Sequence, residues 1–249
     1  MTRRVFLAGA AGAIGRRLVP LLVAEGFQVI GTTRSACKAE ALRVLGAEPV
    51  IVDVFDRTAL ARAVRAARPD VVVHQLTDLP PGLDPGQMSD AVRRNARLRA
   101  DGTRNLVQAA LAAQVPRLVA QSIAWAYAPA AEPHGEDDPL DLDAGGDRGV
   151  SVGGVAALEK AVLGSPPLAG VVLRYGRLYG PGTGADAPPA TLPLHVDAAA
   201  FAALLAITSG APGLYNIAEL TPQVATGKAE RELGWTAGFR LGPTDGEAR

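Results

Sequence analysis

Short apolar runs alternate with amphipathic stretches along most of the chain. The run Val71-Val72-Val73, for example, is apolar on both faces of a strand, as in buried strands of parallel sheets. Six strands are predicted: Val5–Ala8, Gln28–Thr32, Pro49–Val52, Asp70–Gln75, Arg117–Gln121 and Gly170–Arg174. Helices are predicted between them at Arg16–Glu25, Ala36–Leu45, Thr58–Ala67, Asp84–Ala113 and Val155–Leu163. This alternation predicts an α/β protein with a doubly wound parallel sheet and right-handed crossovers.

Two stretches interrupt the alternation. Ala128–Gly154 and Gly180–Pro193 are rich in Pro and Gly, and both are expected to be loops over the carboxyl edge of the sheet. Ligands of open α/β sheets bind at that edge, so either loop is a candidate lid, with a plain surface connection as the alternative.

Composition narrows the classes of ligand. The 249 residues carry 25 basic and 25 acidic side chains, so the formal charge of zero favours neither nucleic acid nor an anionic membrane. No run approaches the roughly 20 apolar residues of a membrane span. The single Cys37 excludes an internal disulfide, and one Cys with three His gives no metal-ligand spacing. A cytoplasmic protein with a small-molecule substrate and without a metal is therefore expected.

A glycine-rich turn follows the first predicted strand. Gly9, Gly12 and Gly15 stand between that strand and the next helix, with Ala13 and Ile14 at the start of the helix. Such a turn lets backbone N–H groups approach a pyrophosphate, which the helix dipole also attracts. The prediction is a dinucleotide site, and a purely structural turn is the alternative.

The end of the second strand discriminates between the two nicotinamide dinucleotides. An acidic residue there holds the ribose hydroxyls of NAD, whereas a basic one holds the 2′-phosphate of NADP. Here the residue is Arg34, flanked by Thr33 and Ser35, so NADP(H) is preferred over NAD(H). The alternative is a solvated Arg34 and a site that accepts either nucleotide.

Two further strand ends complete the predicted cofactor site. Asp53, followed by Val54, is placed to meet the adenine amino group. The residues after the fourth strand are expected beside the nicotinamide-side ribose, namely Gln75, Leu76 and Thr77.

Motifs spread over nearly the whole chain resemble the extended short-chain dehydrogenase/reductase superfamily, in its NAD-dependent epimerase/dehydratase branch. They are Gly9–Gly15, Val52-Asp53, His74–Thr77, Gly102–Leu106, Ser122–Tyr127, Leu173–Gly182, Leu194–Asp197, Leu214–Ala218 and Leu233–Trp235. The resemblance implies a Rossmann domain at residues 1–178 and a small C-terminal substrate-binding region at 179–249, within one compact unit. It also implies a possible homodimer through the helices near Asp84–Ala113 and Val152–Leu163.

The chain departs from this family at its proton relay. Family members carry Tyr-x-x-x-Lys on the helix after the fifth strand, and counting back from Glu159 places Ser151 and Val155 at those positions. A serine is a far weaker acid than a phenol, and a valine carries no charge. The family's asparagine before Gly-Thr is Arg99 here, with Asn95 one turn earlier. The standard relay is absent.

Two hydroxyls are candidate replacements as proton donors. Ser122 ends the fifth strand, where family members place a hydroxyl near the substrate, and Tyr127 follows it in the loop over the pocket. For Tyr127 the favoured interpretation is a wall of the pocket, formed together with Trp125. Tyr175 and His74 are better explained by packing in the core.

These observations support two functions and leave a third open. The first is an atypical NADP(H)-dependent oxidoreductase, epimerase or isomerase that acts on a small substrate other than a nucleotide sugar. The alternative is a nucleotide-binding protein without redox turnover. Such a protein would act as a sensor, or it would use the family's substrate pocket for a cyclase or lyase reaction. The third is a protein that binds no nucleotide.

Overall fold

A computed structural model describes residues 3–80 and 84–242, and a seven-stranded sheet lies at its centre. Its strands are β1 (Arg4–Ala8), β2 (Gln28–Thr33), β3 (Glu48–Ile51), β4 (Val71–His74), β5 (Arg117–Ile123), β6 (Ala169–Tyr175) and β9 (Gly213–Ile217). The strand order is β3-β2-β1-β4-β5-β6-β9, and every pairing is parallel. The order reverses between β1 and β4, which is the switch point where open α/β sheets bind ligands. The predicted doubly wound Rossmann-type fold is confirmed.

The buried strands explain the continuous apolar runs of the sequence. Successive side chains of a strand point to opposite faces, so Val5 and Leu7 enter one core cluster while Phe6 and Ala8 enter the other. All four are buried. Helices therefore cover both faces of the sheet.

Eight helices supply these two layers in the described residues. They are α1 (Ala13–Ala24), α2 (Ala39–Val44), α3 (Arg57–Ala67), α4 (Met88–Arg97), α5 (Thr103–Ala112), α6 (Gly146–Leu163), α7 (Val196–Thr208) and α8 (Gly227–Leu233). Residues of α1 and α7 belong to one core cluster, and residues of α3, α5 and α6 to the other. Among the residues described, no helix is both long and apolar enough to cross a membrane.

The helix predicted over Asp84–Ala113 is interrupted. A 3₁₀ turn at Pro85–Gln87 precedes α4, and a π-helical turn at Leu98–Gly102 separates α4 from α5. Such π turns are rare and occur frequently at functional sites. This turn contains Arg99.

The predicted loop at Ala128–Gly154 is too long, because α6 begins at Gly146. One of the glycines that favour a loop in the sequence, Gly154, serves helix packing instead. A Cβ at Gly154 would lie 2.7 Å from the Cα of Ala96, so only glycine lets α6 approach α4 this closely. Arg148 further anchors the first turn, since its Nε donates to Asp141 Oδ2 at 2.6 Å.

The C-terminal part contributes to the main sheet as well as to a smaller one. Strand β9 pairs with β6, and α7 packs against α1. A two-stranded parallel sheet, β7 (Arg177–Tyr179) with β8 (Pro193–His195), lies apart from the main sheet. A substrate-binding role for residues 179–249 stays a prediction.

Candidate functional site

A cavity of about 330 Å³ opens at the carboxyl ends of four neighbouring strands. Four segments that follow β1, β2, β3 and β4 line it. They include Ala8, Gly9, Ala11, Gly12, Thr32–Ser35, Lys38, Val52–Phe55 and Gln75–Asp78, and Leu60 and Leu98 complete the wall. The structure thus brings together most of the residues that were predicted to bind a dinucleotide at the strand ends: Gly9, Gly12, Arg34, Asp53, Val54, Gln75, Leu76 and Thr77.

The glycine turn has no room for side chains. Gly9 has φ +92°, and a Cβ there would lie 2.5 Å from the carbonyl oxygen of Gln75. A Cβ at Gly15 would lie 2.3 Å from the carbonyl oxygen of Gly9. These glycines let β1, α1 and the end of β4 meet at the mouth of the cavity.

The start of α1 supplies unpaired donors beside this turn. Gly12 is the N-cap and provides no side-chain cap. The first turn of α1 consists of Ala13, Ile14 and Gly15, which do not line the cavity. Their backbone N–H groups have no acceptor within the helix. Together with the positive end of the helix dipole, they suit a pyrophosphate.

Two cations border the cavity after β2. Arg34 is exposed and lines the cavity together with Ser35, whose N–H donates to Thr33 Oγ1 at 3.1 Å. The second cation, Lys38, ends a 3₁₀ turn at Ala36–Lys38 and also lines the cavity. Sequence reasoning missed Lys38, although its position four residues after Arg34 was a usable signal.

The ends of β3 and β4 provide further polar groups. Asp53 Oδ1 accepts the N–H of Phe55 at 2.9 Å, which leaves Oδ2 for a ligand. Gln75 is buried; its Nε2 lies 3.4 Å from the hydroxyl of Tyr175, and its Oε1 has no partner among the described residues. An unpartnered buried acceptor and a turn that a Cβ would fill both fit a bound dinucleotide.

Asn95 positions the loop after β4. Its Oδ1 accepts the N–H of Asp78 at 2.9 Å, and its Nδ2 donates to the carbonyl oxygen of the same residue at 3.0 Å. The side chain therefore fixes a segment of the cavity wall instead of serving in a proton relay.

The structure does not place Ser122 and Tyr127 as proton donors. Neither lines the cavity. The Ser122 hydroxyl is fully buried and donates to Glu159 Oε1 at 2.8 Å. The Tyr127 hydroxyl donates to Asn216 Oδ1 at 2.6 Å, and burial raises the pKa of this phenol. Both hydroxyls are held by partners in the protein interior.

A buried ion pair explains why Ser122 faces away from the cavity. Arg174 donates to both oxygens of Glu159, from Nη2 at 2.7 Å and from Nε at 2.9 Å. Burial alone would lower the pKa of Arg174, but these hydrogen bonds outweigh it and raise the pKa. Both carboxylate oxygens of Glu159 thus accept hydrogen bonds from Arg174, and one of them also accepts from Ser122.

A second polar cluster lies where the proton relay of the family is missing. Arg99 Nη1 donates to Ser151 Oγ at 3.2 Å, across from α6, while Val155 is completely buried. Burial, and next the charge of Arg99, lower the pKa of His74 to about 4. His74 is therefore neutral, with Nε2 3.0 Å from Thr103 Oγ1 and Nδ1 accepting the N–H of Leu76.

Metal chemistry has no support in the described part of the chain. Within residues 3–80 and 84–242, no group of three or more His, Cys, Asp or Glu side chains could hold a metal ion.

Comparisons with known proteins identify the family. Residues 9–145 match the model of an NAD(P)H-binding family. A Streptomyces protein, 3-diazoavenalumate denitrifying reductase, is 46% identical over 245 residues, covering 89% of this chain and 78% of the relative.

Solved structures agree on the fold. The Bordetella bronchiseptica enzyme WbmG in complex with NAD has a TM-score of 0.71 at 22% identity, covering 97% of this chain and 91% of that one. A Thermotoga maritima UDP-glucose 4-epimerase with UDP-glucose has a TM-score of 0.74 at 18% identity, covering 95% and 94%. The chain therefore belongs to the NAD(P)H-binding family, and it shares its fold with these NAD-binding and epimerase structures.

Proposed function

We propose that the protein is an NADPH-dependent reductase that removes dinitrogen from a small diazo compound. The observation that carries this proposal is the relative at 46% identity, whose name describes a denitrifying reduction of a diazo substrate. The cavity at the switch point supports a nicotinamide-dependent reaction, because the glycine turn and the ends of four neighbouring strands line it.

The preference for NADPH rests on the two cations after β2. Arg34 and Lys38 both line the cavity after β2, whereas the two acids that line it, Asp53 and Asp78, follow β3 and β4. A guanidinium and an ammonium suit the 2′-phosphate, whereas an NAD site places a carboxylate after β2.

Replacing Arg34 by Ala should weaken NADPH binding selectively. Loss of one charge-assisted phosphate contact corresponds to about 1.5–3 kcal/mol, or roughly a 10- to 100-fold rise in the dissociation constant. Binding of NADH should change by less than about twofold, since NADH has no 2′-phosphate. Fluorescence titration with both nucleotides measures this effect.

The matched control is Arg43→Ala, an exposed arginine of α2 that pairs with Glu40 outside the cavity. Lys38→Ala should shift NADPH binding in the same direction as Arg34→Ala. Equal weakening of NADPH and NADH by Arg34→Ala would contradict the preference for NADPH.

A diazo acceptor explains why the relay can be absent. When bound, NADPH supplies a hydride from its nicotinamide ring. A diazo group that has taken up one proton from solvent is a diazonium, R–N₂⁺, which would accept this hydride and its two electrons at the terminal nitrogen and become R–N=N–H. That species forms R–H as its carbon–nitrogen bond breaks and dinitrogen leaves. Charges and atoms balance without a proton from the protein, whereas carbonyl reduction requires one.

The residues of this chain then have positional roles. Gly9, Gly12 and the first turn of α1 bind the pyrophosphate, Asp53 and Val54 contact the adenine end, and Gln75–Thr77 line the other end. Ser122 and Tyr127 belong to the interior beside the site and take no part in proton transfer.

The test is anaerobic incubation with NADPH and 3-diazoavenalumate, the compound in the relative's name. We expect dinitrogen release in a one-to-one ratio with NADPH oxidation. Tight binding of NADPH without its consumption, by this compound or by a panel of carbonyl compounds, would instead support a nucleotide-binding protein without redox turnover. Saturation by neither nucleotide would overturn both.

A further inference from the structure

Arg99 is a cation in an unusual position. It lies in the π-helical turn between α4 and α5, and its side chain reaches across to α6 instead of into solvent. Its neighbour His74 ends β4 and immediately precedes the cavity-lining segment Gln75–Thr77. Leu98, which precedes Arg99 in the same turn, lines the dinucleotide cavity, so the guanidinium lies behind the wall of that cavity, and neither Arg99 nor Ser151 lines it.

The charge of Arg99 is not balanced by an ion pair. Among the described residues, no carboxylate lies within 4.0 Å of its guanidinium nitrogens, and its one side-chain partner is the neutral Ser151. Glu159 is the acidic group that faces it, but both Glu159 oxygens are bound by Arg174. Burial lowers the pKa of Arg99 to about 10, which still leaves it charged at neutral pH.

A half-buried, unpaired guanidinium is costly, so it is expected to have a purpose other than stability. Of its five N–H donors, one is used by Ser151, and the rest form a planar fork that suits a carboxylate. Ser151 contributes a hydroxyl beside the fork. The neutral His74 offers no competing charge.

We propose that Arg99 and Ser151 bind the carboxylate of an anionic substrate and hold it at the carboxyl edge of the sheet beside Gln75–Thr77. This inference rests on the proposed function for the identity of the substrate, because the name 3-diazoavenalumate denotes the anion of an acid. Under this proposal, two positions at which the resemblance places the family's relay residues serve substrate recognition in this chain. Arg99 and Ser151 are specificity-determining residues under this proposal.

The experiment measures binding without turnover. Wild type and variants are titrated calorimetrically with 3-diazoavenalumate and with its methyl ester, in the presence of saturating NADP⁺, which cannot donate a hydride. Wild type should bind the acid at least about tenfold more tightly than the ester. R99Q should lose roughly 10- to 100-fold in affinity for the acid and less than about twofold for the ester.

Further variants separate recognition from folding. R99K should retain part of the affinity for the acid, since it keeps the charge but loses the planar fork. S151A should lose about three- to tenfold. The matched control is R93Q, which removes an exposed arginine of α4 whose side chain contacts Asp90 and Ser89 in the same helix. The midpoint of thermal unfolding of R99Q should not fall below that of wild type, because the lost charge had no carboxylate partner among the described residues.

The outcomes distinguish this inference from the proposed function. Equal affinity of wild type for acid and ester, or weaker NADPH binding by R99Q with unchanged affinity for the acid, would overturn carboxylate recognition. Selective loss of the acid in R99Q supports it even if NADPH fails to reduce the compound. In that case the reductase proposal alone would be abandoned.

Discussion

At the scale of single residues, His74 shows how burial and a neighbouring charge set a protonation state. Its Nδ1 accepts the N–H of Leu76 at 3.2 Å, and its Nε2 lies 3.0 Å from Thr103 Oγ1. This pattern requires the neutral ring, because a protonated Nδ1 would point a hydrogen at the N–H of Leu76. Burial and Arg99 accordingly lower the pKa of His74 to about 4.

The low pKa of His74 predicts a loss of stability in acid. The unfolded chain binds a proton at His74 below about pH 6.5, whereas the folded chain does so only near pH 4, so stability falls as the pH falls between these values. The contribution reaches about 3 kcal/mol at the lower end.

Urea unfolding of wild type and His74→Gln across this range measures the effect. The variant should be less stable at neutral pH but should lose less stability on acidification. Carboxylates that titrate in the same range are present in both proteins and cancel in the difference. Identical dependence on pH in the two proteins would contradict a buried, neutral His74.

The grouping of the cavity-lining residues was predictable from sequence, and the hydrogen bonding of Ser122 was not. Gly9, Arg34, Asp53 and Gln75 follow strands whose ends must meet at one edge of a parallel sheet, so strand prediction was sufficient to group them. The orientation of Ser122 depends on the buried pair of Glu159 with Arg174, which is distant in sequence. No local pattern carries that information.

At the scale of secondary-structure elements, α6 shows that two adjacent glycines can have different structural roles. Gly153 is exposed, and a Cβ there would have nothing within 4 Å, whereas a Cβ at Gly154 would lie 2.7 Å from the Cα of Ala96. Composition predicts a loop for both. Packing of α6 against α4 is what makes Gly154 part of a helix.

This pair of glycines predicts opposite effects of the same substitution. Gly153→Ala should stabilise the protein by about 0.5–1 kcal/mol, because alanine lowers the entropic cost of the helix at an open position. Gly154→Ala should destabilise it by about 1–3 kcal/mol, since the two helices must separate. Free energies of unfolding in urea measure both, and destabilisation of equal size would argue against close packing of α4 and α6.

At the scale of the whole molecule, the C-terminal segment is part of the core. Ten residues of α7 are buried, among them Val196, Leu204 and Ile207, and α7 packs against α1 on one face of the sheet. Strand β9 continues the sheet beyond β6. A homodimer through α4 and α6 stays a prediction, although these helices do pack together within the chain.

Removal of residues 179–249 should therefore prevent folding. A chain that ends at Leu178 would expose the face of α1 that α7 covers and leave β6 as an unpaired edge. We expect it to aggregate or to unfold without a cooperative transition, measured by calorimetry against the full chain. A cooperative transition in the shorter chain would show that residues 1–178 are an independent domain.

The sequence by itself determined the alternation of strands and helices, the parallel sheet and the glycine turn at its edge, where a dinucleotide site is predicted. These features follow from local periodicity and from the steric demands of single residues, which act over a few neighbouring positions. Only the tertiary structure decided that α6 starts at Gly146, that β9 extends the sheet, and that Arg99 faces Ser151. These features depend on contacts between segments that are far apart in the chain, where packing and charge compensation outweigh local preference.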